Sequence, residues 1–295
     1  MEKFGFIGYG NMGQMIIENI LKHNIFDSHE MIVSNRNLSK LDKLKDNYPN
    51  IAITDDNKIL TKNSSKIFIF VETPQFKDLI NEISPFLNEN SHIIHVCAGL
   101  SFENISNIYT GSVSQVIPSI ASTFNEKSKD FKSKAGVSLI LHNKKTLNDD
   151  KEFVEEIFNE FSYIEILDDF ENEENSINNS LEVATILTSC GPAFISSMIN
   201  NLADKASLKS ENNLNNDRIK NMIVKTIMGT LIQIDTNNLT TDEIIKRTTT
   251  KKGITEIGLN HIDDNFDVLA ENLFYILFKR YDEVKQDLTN IYSNS

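Results

Sequence analysis

Tryptophan is absent from the 295 residues, which include only two cysteines, five prolines and eleven glycines. Two thiols, Cys97 and Cys190, cannot build a disulfide framework. Neither belongs to a Cys-x-x-Cys pair or lies near a plausible histidine ligand, so a cysteine-scaffolded secreted domain and a zinc finger are set aside. Basic charge is also short. Twenty-nine Lys and Arg against 42 Asp and Glu leave a net charge of -13, a field that repels polyphosphate and anionic lipid. A nucleic-acid or membrane-surface role is set aside on that ground. A small anion in a local pocket is not, because a helix N-terminus or a single arginine acts at close range. Long apolar runs are lacking as well: the first, at residues 4–7, is too short for a signal peptide, and none approaches a transmembrane length. The expectation is a cytoplasmic globular protein of two domains. The six histidines show no metal-ligand spacing, and His92 and His95, three apart in one strand, point to opposite faces, so no metal is expected.

Short apolar runs alternate with helix-length segments up to about residue 167. They are Phe4-Gly5-Phe6-Ile7, Met31-Ile32-Val33-Ser34, Ile67-Phe68-Ile69-Phe70-Val71, His92-Ile93-Ile94-His95-Val96, Ser114-Gln115-Val116-Ile117, Gly136-Val137-Ser138-Leu139-Ile140 and Tyr163-Ile164-Glu165-Ile166. Runs that are apolar on both faces predict a parallel sheet covered on each side. An acidic, Asn-rich stretch from Asp168 to Asn179 marks the boundary, giving a domain at 1–168 and a second at 169–295. Beyond it helical spacing takes over, through Leu181, Ala184, Leu187, Phe194, Met198 and Leu202, then Ile219 to Ile234, then Phe266 to Ile291. Pro192 predicts a kink in the first of these helices. Apolar positions this plentiful in a small helical domain predict burial against a second copy, that is, a homodimer.

Gly8-Tyr9-Gly10-Asn11-Met12-Gly13 follows the first strand and opens a helix. In a βαβ unit the first glycine permits a tight turn, the second lets a pyrophosphate approach, and the third lets helix pack on strand. The α/β part is therefore a Rossmann-type dinucleotide-binding domain, with Gly8, Gly10, Asn11, Met12 and Gly13 at the cofactor. The second strand ends in Ser34-Asn35-Arg36-Asn37, with no carboxylate to bind a ribose 2′-hydroxyl. Arg36 can pair with a 2′-phosphate, and Ser34, Asn35 and Asn37 can donate to it, which points to NADP(H). The competing reading of Arg36 is a solvated loop arginine between turn-forming asparagines.

These residues, with Cys190-Gly191-Pro192-Ala193-Phe194 and the segment from Thr248 to Leu259, resemble Δ1-pyrroline-5-carboxylate reductase over nearly the whole chain. The resemblance implies an all-helical dimerisation domain after the Rossmann-type domain, and hydride transfer from NADPH to a cyclic imine to give L-proline. It also implies a substrate loop of the form Ser-Pro-Gly-Gly-x-Thr that holds the substrate carboxylate, its Thr hydroxyl reaching the ring nitrogen. Here that loop reads Thr250-Lys251-Lys252-Gly253-Ile254-Thr255. Thr250, Gly253, Ile254 and Thr255 are the implied substrate-binding residues, and Thr255 the implied catalytic one. Thr255 also reads as an ordinary residue at a helix start.

Three departures stand out. Val71-Glu72-Thr73-Pro74 replaces Val-Lys-Pro, Ile117-Pro118-Ser119-Ile120-Ala121 replaces Met-Pro-Asn-Thr-Pro, and Cys190 replaces a serine. They resemble the divergent branch encoded with late-competence genes in Gram-positive bacteria. Three functions are compatible with these residues. The first is the proline-forming imine reductase. The second is a reductase of another small carboxylated substrate, for which hydroxyacid dehydrogenases are the nearest pattern; these need a lysine on the long interdomain helix, and none occurs between Leu181 and Asp204. The third is a non-catalytic NADP-binding regulatory protein, for which Glu72, Lys251 and Lys252 speak. Cys190 and Cys97 read as buried thiols and not as nucleophiles.

Overall fold

The computed structural model describes residues 3–122, 134–167, 179–211 and 213–293. The first half alternates as β1 (Lys3–Ile7), α1 (Asn11–Lys22), β2 (Met31–Ser34), α2 (Asp42–Asn47), β3 (Ala52–Thr54), α3 (Asn57–Lys62), β4 (Ser64–Ile69) and α4 (Phe76–Ile83). It continues with β5 (His92–His95), α5 (Phe102–Ser106), β6 (Ser112–Pro118), β7 (Val137–His142), α6 (Asn148–Asn159) and β8 (Tyr163–Ile166). Among the described residues these strands form one sheet of order β3-β2-β1-β4-β5-β6-β7-β8. The order reverses between β1 and β4, the position at which ligands enter open α/β sheets.

Alternation along each strand feeds two apolar layers. Phe6, Val33, Phe68, Ile94, Val116 and Ile140 meet Ile16 and Ile20 of α1 and Phe158 of α6 on one face. Ile7, Ile32, Ile67, Ile69, Ile93 and Val113 meet Phe76 and Ile80 of α4 on the other. Burial of such side chains, at about 25 cal/mol per Å² of apolar surface, is what holds the sheet between its helices. Two features depart from the sequence expectation. β7 runs antiparallel to β6, with Ile117 opposite Leu139. Antiparallel neighbours need no crossover helix to join them, and residues 123–133 of the connection between these two strands lie outside the described residues. β3 escapes a search for apolar runs because it is three residues long and only half-buried.

The sheet carries buried histidines on both faces, as the three-residue spacing in β5 requires. His92 Nε2 lies 2.8 Å from Ser114 Oγ, which lies 2.7 Å from His142 Nδ1. A hydroxyl has one proton, so one ring donates to Ser114 and the other accepts from it. Lys66 and Asp150 form an ion pair beside His92. On the opposite face His95 packs against Phe76 and accepts from the Cys97 N–H through Nδ1, leaving Nε2 without a partner.

The chain separates into two compact units, Met1–Cys190 with Arg280–Ser295, and Gly191–Lys279. The boundary expected at residue 168 falls in residues 168–178, which lie outside the described residues. In the first unit α7 (Ser180–Thr185) runs into a π-helical turn, Ile186–Cys190, whose Ser189 hydroxyl donates to the Pro118 carbonyl at 3.2 Å. That turn lies directly before Gly191-Pro192, where the proline supplies no backbone N–H to the helix.

The second unit holds α8 (Gly191–Lys209), α9 (Asn216–Asp235), α10 (Thr241–Thr248) and the first part of α11 (Ile254–Ser293). α8 packs on α9. Thr240 and Glu243 form a reciprocal capping box that starts α10. Much of the unit's apolar surface is open: Leu202 is 58% exposed, Ile257 68% and Ile276 62%. One further expectation is corrected here. The continuous helical segment Ser180–Lys209 is, by length and composition alone, long and apolar enough to cross a membrane. The expectation fails because polar Ser, Thr and Asn residues break the apolar run without adding charge.

Candidate functional site

Gly8, Gly10, Ser34, Asn35 and Arg36 come together as predicted neighbours, lining one crevice of about 640 Å³ at the C-terminal ends of β1, β2 and β4. Gly8 sits at φ +100, and a Cβ there would lie 2.6 Å from the Phe70 carbonyl oxygen. Gly13 is packed against the Gly8 backbone. A Cβ at Gly10 would meet nothing within 4 Å, so its glycine serves no contact inside the protein and faces open space. α1 begins next to it with no side-chain cap and no acid in its first turn. The N–H groups of Asn11, Met12 and Gly13 therefore have no intrahelical acceptor, and the positive end of the helix dipole faces the crevice. Asn11 is exposed, and Met12 packs partly onto the core.

The turn after β2 is built by its own side chains. Asn35 accepts from the Tyr9 N–H at 3.1 Å and donates to the Asn37 carbonyl at 2.8 Å. Ser34 is buried and its hydroxyl donates to Asn57 at 2.6 Å. Asn35 thus ties the glycine turn to the β2 turn and Ser34 ties the end of β2 to α3, while Arg36 remains exposed. Lys40 lines the same crevice and is a second cation that the motif does not reveal. Its only sequence signal is its position four residues after Arg36. Asn57, Gln75, Asp78 and Glu82, which sequence reasoning also misses, form the facing wall; they belong to α3 and α4 regions that carry no motif.

Burial, helped by Glu18, pushes the Tyr9 phenol above its ordinary value. Burial pushes the Cys97 thiol up to about 12, against a smaller opposing effect of Thr73, and raises that of Cys190. Both thiols stay protonated at neutral pH, which matches their reading as inert. Among the described residues no group of three or more His, Cys, Asp or Glu side chains is placed to hold a metal.

The four implied substrate-side residues lie together in the second unit, at the start of α11. The turn closes by Gly253 N–H donating to the Thr250 carbonyl at 2.8 Å, and Thr250 Oγ1 fills the space a Cβ on Gly253 would need. Ile254 and Thr255 occupy the first turn of the helix, Ile254 almost wholly exposed and Thr255 half-buried. The Ile257 N–H closes on the Gly253 carbonyl at 3.3 Å, so the N–H groups of Ile254, Thr255 and Glu256 precede the first helical bond and are open to an anion. Lys252 takes the left-handed conformation, φ 57, and its N–H donates to Glu256 at 2.6 Å. The backbone shape that a glycine would adopt here is kept by a lysine, at a cost of roughly 1 kcal/mol. Lys252→Gly is expected to retain the turn and raise unfolding stability by up to about 1 kcal/mol in a denaturant titration. A loss of stability would show instead that the lysine side chain holds the turn.

Comparison with known proteins adds to this geometry. Residues 3–99 match the family described as NADP oxidoreductase, coenzyme F420-dependent, and residues 178–281 match pyrroline-5-carboxylate reductase dimerisation. The pyrroline-5-carboxylate reductase of Methanobrevibacter smithii is 36% identical over 88% of this chain and 96% of its own length. ComE operon protein 4 of Bacillus subtilis is 25% identical over 95% of this chain and 96% of its own. Among solved structures, the pyrroline-5-carboxylate reductase of Coxiella burnetii superposes with a TM-score of 0.75 at 20% identity, covering 98% of each chain. The Plasmodium falciparum pyrroline carboxylate reductase, solved with NADP bound, gives a TM-score of 0.72 at 20% identity over 98% of this chain and 97% of its own. With a relative 36% identical over most of its length, and a mostly parallel eight-stranded sheet that carries a glycine crevice at its switch point, the chain belongs to the pyrroline-5-carboxylate reductase family of oxidoreductases acting on C=N bonds.

Proposed function

We propose that this protein reduces 1-pyrroline-5-carboxylate to L-proline with NADPH, in the cytoplasm, as a homodimer and as a step of amino-acid biosynthesis. The observations that carry the reading are an uncapped helix start at open Gly10 and, at the start of α11, first-turn N–H groups at Ile254, Thr255 and Glu256 that precede the first helical bond. One is fitted to a pyrophosphate, the other to a carboxylate. When bound, NADPH supplies the hydride for the imine carbon.

The chain's own residues do the holding. The first-turn N–H groups of Asn11, Met12 and Gly13 receive the pyrophosphate, and Arg36 and Lys40 supply positive charge for the 2′-phosphate. Thr250, Gly253 and Ile254 shape the turn that receives the substrate carboxylate, and the Thr255 hydroxyl hydrogen-bonds the ring nitrogen. A protonated iminium is already electrophilic, so positioning in place of acid catalysis is sufficient, in keeping with protonated Tyr9 and Cys97. The exposed apolar surface of the helical unit, including that of Ser180–Lys209, is read as a subunit interface and not as a lipid surface.

Two experiments test this. Arg36→Glu is expected to abolish the preference for NADPH over NADH in a binding titration, because a 2′-phosphate then meets an anion. Undiminished discrimination would remove Arg36 as the selector. Thr255→Ala is expected to lower kcat with pyrroline-5-carboxylate about tenfold to a hundredfold, as fits loss of a hydrogen bond to a charged partner, with NADPH affinity unchanged and Thr255→Ser partly restoring turnover. Equal turnover in the alanine variant would assign Thr255 to the helix start alone.

A further inference from the structure

The Val71-Glu72-Thr73-Pro74 turn after β4 has no role in the reading above. It is held from both sides: the Thr73 hydroxyl donates to the Ala98 carbonyl at 3.2 Å, and the Cys97 thiol lies 3.5 Å from the Val71 carbonyl. The Gln75 N–H closes it by donating to the Glu72 carbonyl at 2.8 Å. Glu72 is exposed and lines the crevice with Val71 and the glycine turn. Its carboxylate has no hydrogen bond or ion pair among the described residues.

The crevice is polarised. Its cations, Arg36 and Lys40, stand on the side of β2. The residues that line it from β4 and α4 include three carboxylates, Glu72, Asp78 and Glu82, and no cation. In a sheet with this strand order the adenosine half of a dinucleotide lies over β1 and β2, and the nicotinamide half lies beyond the switch point over β4 and β5. Glu72 follows β4 directly, so its charge stands at the nicotinamide end. An oxidised nicotinamide ring carries one positive charge and a reduced ring carries none.

We propose that Glu72 is a specificity-determining residue that biases the crevice toward the oxidised dinucleotide, by attraction between its carboxylate and the positively charged nicotinamide ring. The proposal rests on the reading that the crevice takes NADP(H). It concerns the redox form that is held and requires no bond to form or break. The same carboxylate repels the phosphates of both forms alike, so the ratio of the two affinities isolates its effect on the ring.

The test is a binding titration of the parent and of Glu72→Gln with NADP⁺, NADPH and adenosine 2′,5′-bisphosphate, which lacks the nicotinamide. The affinity ratio of NADP⁺ to NADPH is expected to fall about threefold to tenfold in Glu72→Gln, the range for a single charge at a solvated crevice mouth. It is expected to fall further in Glu72→Lys, and the parent's bias is expected to shrink as salt rises. Glu72→Gln is expected to bind the bisphosphate no more weakly than the parent, since only repulsion of its phosphates is removed. An unchanged ratio, with tight binding of both dinucleotides, would overturn this proposal alone. Failure of the parent to bind any of the three would overturn it together with the cofactor reading.

Discussion

Gly10→Ala is expected to leave the protein as stable as the parent while lowering NADPH affinity more than tenfold, and Gly13→Ala is expected to do the reverse in character. Nothing in the protein lies within 4 Å of a Cβ at Gly10, so the alanine is accommodated without strain. Its methyl group stands where the pyrophosphate must approach the backbone, and a tenfold loss corresponds to about 1.4 kcal/mol. At Gly13 the Cβ runs into the Gly8 backbone and comes to 3.1 Å from the Phe70 ring. Backbone cannot yield as a side chain can, so overpacking of about 1–3 kcal/mol is expected before any ligand is added. Thermal unfolding and cofactor titration of the two variants separate these effects. A destabilised Gly10→Ala with normal affinity would mean that the second glycine serves the fold and not a ligand.

The second large effect is acid sensitivity. Burial drives His92 down to about 3, with Asp150 opposing it and Lys66 and His142 adding to it. Burial alone takes His95 down to about 3, and burial with Lys151 takes His142 down to about 4. His142 Nε2 lies 3.3 Å from a Glu155 carboxylate oxygen without forming a hydrogen bond.

Below the ordinary value near 6.5 the unfolded chain takes up protons at these rings while the folded chain does not. Stability therefore falls as pH falls, from about 6.5 until the folded values near 4 and 3 are reached. Each ring contributes about 1.4 kcal/mol per pH unit, and three acting together roughly 4 kcal/mol per pH unit. A domain of ordinary stability, about 5–15 kcal/mol, is then expected to unfold within a few pH units below 6.5. His95→Asn keeps an acceptor for the Cys97 N–H and removes one titrating ring, so the slope of unfolding free energy against pH should drop by about a third. An unchanged slope would show that His95 is charged in the folded chain or takes no part.

Much of the fold and the cofactor side of the site is legible in the residues because the signals are local. A glycine turn between an apolar run and a helix can be placed from six residues, and Gly8 and Gly13 prove to be constrained by packing as the motif requires. Strands buried on two faces announce themselves through Phe6-Ile7 or Phe68-Ile69, which feed opposite layers. What is not legible depends on distant partners. The antiparallel pairing of β7 with β6 is a long-range property, and no residue within β7 encodes direction. Lys40, Asp78 and Glu82 join the crevice only when α4 and the β2 turn are folded side by side. Ser34 shows the same limit. Its place at the end of β2 suggests a donor to a 2′-phosphate, but its hydroxyl is engaged by Asn57, 23 residues further on.

The most direct test mixes the purified chain with NADPH and pyrroline-5-carboxylate and follows both NADPH and proline. The expected result is one proline formed for each NADPH consumed, with the rate saturating in imine. NADPH bound tightly but not consumed, with no proline formed, would contradict the reductase reading and make the protein a non-catalytic NADP-binding member of its family.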